Sequence, residues 1–286
     1  RDAILYALGI GETNLRFCCE EDPEFAPFPT LPLTLSLKGT SNDIVPFGMD
    51  AFMVPPGLDE VPVTSIIHGD QSIELFAPLP ADGKNMINRS KVVALEDKGR
   101  GAVLRVQTDL VAASGAVLAR HESGIFLKGM GNFGGLRGQT HKREPLPSRP
   151  PDRTISVPTL PCQALLYRLS GDYNLLHVDP EFAAMVGFER PILHGLCTFA
   201  VAVRAIIAAA CPNHPDKFRS FKGRFAAPAY PGETLVVDMW QGAAGSLRVR
   251  VTAMDPGENK SKGRVVLTDG EGRVDGGMLG NLRSRL

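Results

Sequence analysis

The chain has 286 residues and a balanced charge, with 31 Lys and Arg against 31 Asp and Glu. Its length suits one large domain or two domains of about 140 residues, and a net charge of zero argues against a nucleic-acid surface built on bulk charge. No charged-then-apolar leader and no apolar run long enough to span a bilayer is present, so we expect no membrane partner. The five cysteines lack metal-ligand spacing, and we expect free thiols in a reducing compartment.

Strand-like runs separated by short turns occupy the later part of the first half. The turns are Lys98-Gly99-Arg100 and Ser114-Gly115. Turns this short join antiparallel neighbours. We therefore predict an antiparallel meander with strands near Asn88–Leu95, Ala102–Ala112 and Ala116–Phe126.

A segment rich in Pro and Gly follows this meander. Its breakers are Gly134, Gly135, Gly138, Pro145, Pro147, Pro150 and Pro151. Neither a helix nor a β-ladder tolerates this density of both residues, so residues 135–160 are predicted to be a linker. The linker divides the chain into an N-terminal half, residues 1–134, and a C-terminal half, residues 161–286.

Two helices are predicted at the start of the second half. Thr159–Ser170 has helical apolar spacing and stops at Gly171, a residue typical of helix C-caps. Gly195–Ala209 is apolar nearly all round, so we expect this helix to be buried on every face.

A second antiparallel meander follows the turn Tyr230-Pro231-Gly232. Its strands are predicted at Thr234–Trp240, Leu247–Met254 and Lys262–Leu267. Both halves thus end in a meander after a Pro/Gly turn, which indicates a duplicated architecture. A buried helix followed by a long meander favours a sheet wrapped around one helix.

Three polar side chains with complementary chemistry follow Gly171 on one loop. They are an acid, an amide and an imidazole: Asp172, Asn174 and His177. Side chains at this spacing can hold one water molecule, but Asp and Asn in loops also make Asx turns and helix caps, so both interpretations stay open. Gly195 begins the apolar helix, where Gly lowers helix propensity. That placement is useful if a ligand approaches a backbone N–H at the helix N-terminus.

Three rival motifs are weak. The glycines of Gly129–Gly134 match the dinucleotide fingerprint, but a Pro-rich segment and not a helix follows them. His177 and Asp179 have the spacing of a metal-ligand pair, but a third nearby ligand is missing, and Asp179 before a proline is better explained as a turn. No Gly-x-Ser-x-Gly nucleophile elbow occurs, which disfavours an α/β-hydrolase.

The stretch from Asp172 to Gly195 resembles the hydratase-2 signature of the MaoC-like family, which contains the (3R)-specific 2-enoyl-CoA hydratases. The resemblance covers nearly the whole chain and is greatest to the hydratase unit of peroxisomal multifunctional enzymes of type 2. Two departures are Leu175, where Pro is usual, and Asp70, where Glu is usual; neither removes a reacting group. Further matching elements are Tyr6-Ala7-Leu8-Gly9, His68-Gly69-Asp70-Gln71, Asp97-Lys98-Gly99, Gly131-Asn132-Phe133-Gly134-Gly135 and Arg224-Phe225-Ala226-Ala227-Pro228.

The resemblance implies an α+β double hot-dog fold, with two antiparallel sheets, each wrapped around a central helix, in one chain. A degenerate N-terminal half then receives the acyl chain, and the C-terminal half is catalytic. The implied activity is reversible hydration of a trans-2-enoyl-CoA to a (3R)-3-hydroxyacyl-CoA in fatty-acid beta-oxidation. The substrate is an acyl-CoA thioester, and neither a metal nor another cofactor is expected. The duplication permits a homodimer without requiring one.

The resemblance also implies roles for single residues. Asp172 and His177 are the catalytic pair, Asn174 orients a water molecule, and the Gly195 N–H polarises the thioester carbonyl. The positions that match substrate-binding residues are His68, Gly69, Lys98, Tyr173, Leu175, Leu176 and Phe225.

Two other functions stay open. A hot-dog acyl-CoA thioesterase would use the same loop to deliver water to the carbonyl carbon. A non-catalytic acyl-CoA-binding protein would need no proton donor beside the double bond. The chain ends in Ser284-Arg285-Leu286, a conservative variant of the Ser-Lys-Leu peroxisomal address, so we expect a peroxisomal location.

Overall fold

The strands of both halves join into one antiparallel sheet of nine strands. This computed structural model describes residues 1–39, 44, 61–83, 86–138, 145–256, 263–277 and 279. The strands in chain order are β1 (Ile66–Leu75), β2 (Met86–Asp97), β3 (Gly101–Ala112), β4 (Val117–Lys128), β5 (Arg153–Pro158), β6 (Phe218–Phe225), β7 (Thr234–Gln241), β8 (Ser246–Met254) and β9 (Arg264–Val274). The two predicted meanders, β2 to β4 and β7 to β9, are thereby confirmed.

The order of the strands shows how the two halves combine. It is β2-β3-β4-β1-β6-β9-β8-β7-β5, so the strands of the N-terminal half form one uninterrupted block, and the later strands, including β5 from the predicted linker, form another. The blocks meet where β1 pairs with β6, for example with Ile73 opposite Phe221. The two separate sheets that we expected are therefore one continuous sheet. The reason is that β1 and β6 each end a block, and their pairing removes two edges with unbonded N–H and C=O groups.

The described residues contain six α-helices, of which one is long and buried. They are α1 (Asp2–Gly9), α2 (Leu15–Cys18), α3 (Pro32–Lys38), α4 (Gln163–Tyr167), α5 (Pro180–Met185) and α6 (Gly195–Ala210). The helix α6 packs against the strands of the C-terminal half, and its side chains are apolar nearly all round. The predicted buried helix over Gly195–Ala209 is confirmed. In the described part of the N-terminal half, the helix that contacts β4 is α3, which has only seven residues.

The predicted helix Thr159–Ser170 is shorter than expected. Thr159 stays extended because its backbone N–H and its hydroxyl both donate to the carbonyl oxygen of Glu233, at 3.0 and 2.7 Å. The helix α4 then begins only at Gln163, and a 3-10 turn, Arg168–Ser170, carries the chain to Gly171.

The prediction that residues 135–160 form a linker without a β-ladder is wrong for part of that range. Arg153–Pro158 forms β5, which pairs with β7 at one edge of the sheet. An edge strand needs partners on one side only, and Pro158 lies at its end, where a missing N–H is tolerated. Ile155 and Val157 are buried, so alternate residues of this strand extend the core.

Across the described residues, no helix is long and apolar enough to cross a membrane.

A buried carboxylate holds the connection between β6 and β7. Glu233, which is 2% exposed, accepts hydrogen bonds from the Tyr230 N–H at 2.7 Å and from the Arg264 guanidinium at 2.7 and 2.9 Å. In the same connection, the Ala229 carbonyl accepts from the Leu193 N–H at 2.7 Å. The carboxylate therefore supports the segment that leads into α6.

Replacing Arg264 by Met should lower the free energy of unfolding by about 3 kcal/mol, because it leaves the Glu233 carboxylate buried without its cation. Urea denaturation followed by circular dichroism measures this change. The matched control is the double variant Glu233→Gln with Arg264→Met, which removes the buried charge and should recover most of the loss. Equal destabilisation in the single and double variants would show that the ion pair is not the cause.

Candidate active site

A glycine with a left-handed backbone begins the loop that carries the polar side chains. Gly171 has φ of +129°, and a Cβ there would lie 2.7 Å from the Cβ of Lys38, so a larger residue does not fit. Beyond it, the Oδ1 atom of Asn174 accepts from the Leu176 N–H at 3.0 Å and caps a 3-10 turn over Leu175–His177. Local capping thus orients the loop, and the amide N–H groups of Asn174 stay available for a ligand.

The loop brings its acid and its imidazole together. One carboxylate oxygen of Asp172 and one ring nitrogen each of His177 and His194 lie within 4.8 Å of one another. Asp172 is partly exposed, whereas His177 and His194 are buried. The cluster therefore has a polar centre that is open on the side of the acid.

Hydrogen bonding decides which nitrogen of His177 is free. Its Nδ1 atom lies 2.9 Å from the carbonyl oxygen of Ile192, and a carbonyl oxygen only accepts, so Nδ1 carries the hydrogen. In the neutral ring, Nε2 then presents a lone pair. Burial lowers the pKa of His177 and outweighs the opposing influence of the Asp172 charge. His177 is therefore held neutral as a base.

His194 is a positioning residue that sequence reasoning missed. Its ring stacks on that of His177, with centroids 3.6 Å apart, and its Nε2–H donates to the backbone oxygen of Asp172 at 3.1 Å. Burial lowers the pKa of His194 well below its ordinary value, so this ring is neutral as well. The available signal was a histidine at the N-cap of an apolar helix, where Ser, Thr, Asp or Asn are usual.

His194 also supplies the third polar group that the sequence did not place beside His177. The two rings are nearly parallel, with 25° between their planes, so their nitrogen lone pairs do not converge on one ion as tetrahedral zinc ligation requires.

Asp179 caps α5 by accepting from the N–H groups of Glu181 and Phe182, at 2.8 and 3.3 Å. The interpretation of Asp179 as a turn residue is confirmed.

Three elements from both halves meet at the N-terminus of α6. A Cβ on Gly195 would lie 3.2 Å from the ring of Phe225 at the end of β6. The ring of His68 on β1 meets Phe225 edge to face, with centroids 4.9 Å apart. Burial lowers the pKa of His68, and the charges of Asp70 and, to a smaller extent, Asp172 oppose this shift, so His68 also senses the acid. Gly69 follows at a β-bulge, where a Cβ would lie 3.2 Å from the Gly124 carbonyl oxygen.

The remaining sequence-derived candidates lie further out. Lys98 is at the turn between β2 and β3, separated from β1 by two strands, and its ammonium pairs with the Glu96 carboxylate at 2.8 Å. Tyr173 is buried beneath the Arg168 guanidinium, 5.1 Å from its ring centre. Leu175 is exposed and Leu176 half-buried on the capped turn.

The glycines of Gly129–Gly134 shape a loop around a carboxylate. Asp97 accepts from the N–H groups of Gly99, Asn132 and Gly134 at 2.8 to 3.0 Å, and these bonds lower its pKa. The described residues from 129 to 138 contain no helix, so no helix N-terminus is present to bind a pyrophosphate.

Known proteins resemble this chain over most of its length. The MaoC like domain matches residues 142–260, and the MFE-2 hydratase 2 N-terminal domain matches residues 1–129. Enoyl-CoA hydratase 2, peroxisomal, from Arabidopsis thaliana is 37% identical over 84% of this chain and 81% of its own length. The chain belongs to the MaoC-like hydratase 2 family. The Phytophthora capsici MaoC-like dehydratase structure shares this hydratase 2 fold, with a TM-score of 0.86 and 39% identity over 96% of this chain and 92% of that one.

The double hot-dog class expected of a MaoC-like hydratase 2 protein is confirmed, because a solved double hot-dog protein matches 96% of the chain. The peroxisomal multifunctional enzyme type 2 of Drosophila melanogaster is 36% identical over 93% of this chain, but the chain spans only 45% of that enzyme. The chain thus covers about half, or less, of the first curated multifunctional relatives.

The tautomers of the two stacked histidines are testable. Because burial lowers both pKa values below the ordinary 6.5, both rings should stay neutral at pH 6.5, with the hydrogen on Nδ1 of His177 and on Nε2 of His194. Long-range ¹H–¹⁵N correlation spectra report the tautomers, and the variant His194→Phe assigns the signals.

The same pKa shifts couple stability to pH. A buried neutral histidine contributes stability that is fully present above its unfolded pKa and is lost as pH falls, because the unfolded chain binds more protons. Thermal midpoints should therefore decline as the pH is lowered from 7 through 5.

In the test of the tautomers, spectra that showed the hydrogen on Nε2 of His177 would contradict the assigned geometry.

Proposed function

We propose that this chain is a hydro-lyase that adds water reversibly to trans-2-enoyl-CoA and forms (3R)-3-hydroxyacyl-CoA in fatty-acid beta-oxidation. The observation that carries the proposal is the pairing of Asp172 with a neutral His177 beside the helix that begins at Gly195. The name of the relative enoyl-CoA hydratase 2 supports the substrate class.

The proton transfers follow from the tautomer of His177. The bare Nε2 takes a proton from a water molecule as its oxygen attacks C3 of the substrate. Asp172, in its protonated form for this step, delivers a proton to C2, and the proton taken by His177 returns to Asp172 before the next turnover. Asn174 orients the water through its amide N–H groups, since its Oδ1 already accepts from the Leu176 N–H. His194 fixes the backbone of Asp172 through a hydrogen bond and the ring plane of His177 through stacking.

The N-terminus of α6 stabilises the charge that develops during attack. As water adds to C3, negative charge moves to the thioester oxygen, and the Gly195 N–H donates to it at the positive end of the helix dipole. Removing such a donor typically raises a barrier by about 3 kcal/mol. Phe225, packed against Gly195, makes even a methyl group at that residue a tight fit, and it borders the thioester.

The two halves bind different parts of the substrate. The C-terminal half supplies the reacting groups, and the N-terminal half receives the acyl chain along the face that begins at His68. Roles for Lys98, Tyr173, Leu175 and Leu176 rest on the family resemblance. This addition of water requires neither a metal ion nor a redox cofactor.

Replacing Asp172 by Asn should lower kcat at least about 1,000-fold, because the side chain keeps its shape but loses its acid. His177→Gln should lose activity to a similar extent. The loss of enoyl absorbance measures hydration, and free CoA release measured in parallel detects thioesterase activity. The exposed residue Asp216 provides a matched control, and Asp216→Asn should retain full activity. Near-normal hydration by either active-site variant would remove that residue from the mechanism.

The product should be a single enantiomer, the (3R) alcohol. Asp172 and His177 lie on one loop and reach only one face of a substrate whose carbonyl is held at Gly195, so water and proton arrive on the same face. The family resemblance supplies the R assignment. Coupling to dehydrogenases of known R or S specificity identifies the product. A product oxidised only by the S-specific enzyme would overturn the R assignment taken from the family, and a racemic product would contradict the single-face mechanism.

We also propose that the protein resides in peroxisomes. Relatives are named peroxisomal, and the C-terminal tripeptide Ser284-Arg285-Leu286 resembles a peroxisomal address, although it lies outside the described residues.

Deleting Ser284 to Leu286 from an N-terminally tagged chain should abolish peroxisomal import and leave hydratase activity unchanged. Fluorescence microscopy follows the location, and the purified protein reports the activity. Arg285→Lys, which restores the common Ser-Lys-Leu sequence, is the matched control and should be imported. Import of the deleted chain would show that the tripeptide is not the address.

A further inference from the structure

A band of polar side chains crosses the buried face of the N-terminal half. It lies on four neighbouring strands, because residues opposite one another in the ladders share a face. We name it the polar band, and its members are His68 and Gln71 on β1, His121 and Ser123 on β4, Thr108 on β3 and Ser90 on β2.

The polar band separates two hydrophobic clusters. On one side, Ile73, Leu110 and Ala119 belong to the main core, which also contains α6. On the other side, Leu104 and Ile125 belong to a smaller cluster within the N-terminal half. A face that served only to fill the core would be apolar throughout, as it is on either side of the band.

Most members of the band satisfy one another. The hydroxyls of Ser90 and Thr108 lie 2.8 Å apart, and the Ser123 hydroxyl donates to the amide oxygen Oε1 of Gln71 at 2.7 Å. The same Oε1 atom lies 3.1 Å from Nε2 of His68. The exception is His121, which is 5% exposed and has no hydrogen-bond partner for either ring nitrogen within the described structure.

An imidazole buried without partners is unfavourable, so its presence in a folded protein calls for a functional reason. Burial, together with the neighbouring His68, lowers the pKa of His121 to about 4. The ring is therefore neutral near pH 7 and offers one N–H donor and one lone pair. No Lys or Arg is a member of the band, so a carboxylate would be buried there without a counter-charge.

The polar band starts beside the reacting groups and leads away from them. His68 touches Phe225, which covers Gly195, and it is opposite Ile125 on β4. His121 lies four residues further along β4, about 13 Å at the usual rise of a strand. A substrate group that met His121 would thus be remote from its thioester.

We propose that the polar band is a binding subsite for a hydroxyl group carried far along the acyl chain, with His121 as its hydrogen-bond partner. The inference rests on the proposed hydration of enoyl-CoA thioesters and names a substrate class for it, long acyl chains with a remote hydroxyl. A hydroxyl both donates and accepts, which matches the neutral ring of His121 and the adjacent hydroxyl of Thr108.

The test compares long-chain trans-2-enoyl-CoA substrates of equal length that carry no substituent, a hydroxyl at one of several remote positions, or a terminal carboxylate. The readout is the ratio of kcat/KM for each substituted chain to that for the plain chain. His121→Phe should lower the hydroxyl-to-plain ratio about tenfold at the best position, by removing one hydrogen bond in a desolvated site. His121→Asn, which keeps a donor and an acceptor, should retain most of the wild-type ratio.

His121→Phe should remain folded, because it replaces an unbonded buried imidazole by an apolar ring of similar size, and its thermal midpoint should be no lower than that of the wild type. An unchanged ratio in this variant would overturn the subsite while leaving the hydratase proposal intact. A wild-type preference for the carboxylated chain over the hydroxylated chains would also overturn the subsite. If the wild type hydrated no substrate in the series, the proposed function itself would fail, and the subsite with it.

Discussion

The burial of α6 is the constraint on which the rest of the site depends. A helix enclosed by the sheet cannot slide or rotate without opening cavities, so the position of its first turn is fixed by the packing of the whole C-terminal half. That turn sets Gly195 in place, and the preceding His194 reaches back to the backbone of Asp172 and stacks on His177. The positions of Asp172 and His177 are therefore set by core packing as well as by the loop that carries them.

The junction of β1 with β6 has a comparable effect on the two halves. Because these strands pair directly, His68 from the first half stands against Phe225 from the second, next to the helix N-terminus. The helix α1 adds a second tie, since the Gly9 carbonyl accepts from the Gln163 side chain at 2.6 Å. The two halves are thus joined into one unit, in which residues of both halves lie at the N-terminus of α6.

Buried imidazoles recur through this arrangement, and in each the desolvated ring is held neutral. His177 and His194 have hydrogen-bond partners that select their tautomers, whereas His121 has none in the described structure. Burial of an ionisable ring favours the unfolded state as the pH falls, so these residues reduce acid stability. Their presence is better explained by chemistry and recognition than by the stability of the core.

By itself, the sequence determined the meanders, the buried helix from Gly195, and the family to which the loop Asp172–His177 belongs. These features follow from local periodicity, turn residues and a short motif, all of which lie within a few neighbouring residues. The strands β1, β5 and β6 escaped prediction, since glycine, proline and charged residues obscure their alternation and their partners are distant in the chain. Only the tertiary structure decided that the two halves form one sheet, that His194 contacts both Asp172 and His177, and that His121 lies in a polar band without a hydrogen-bond partner among the described residues. Each of these depends on contacts between residues far apart in sequence, which no local pattern records.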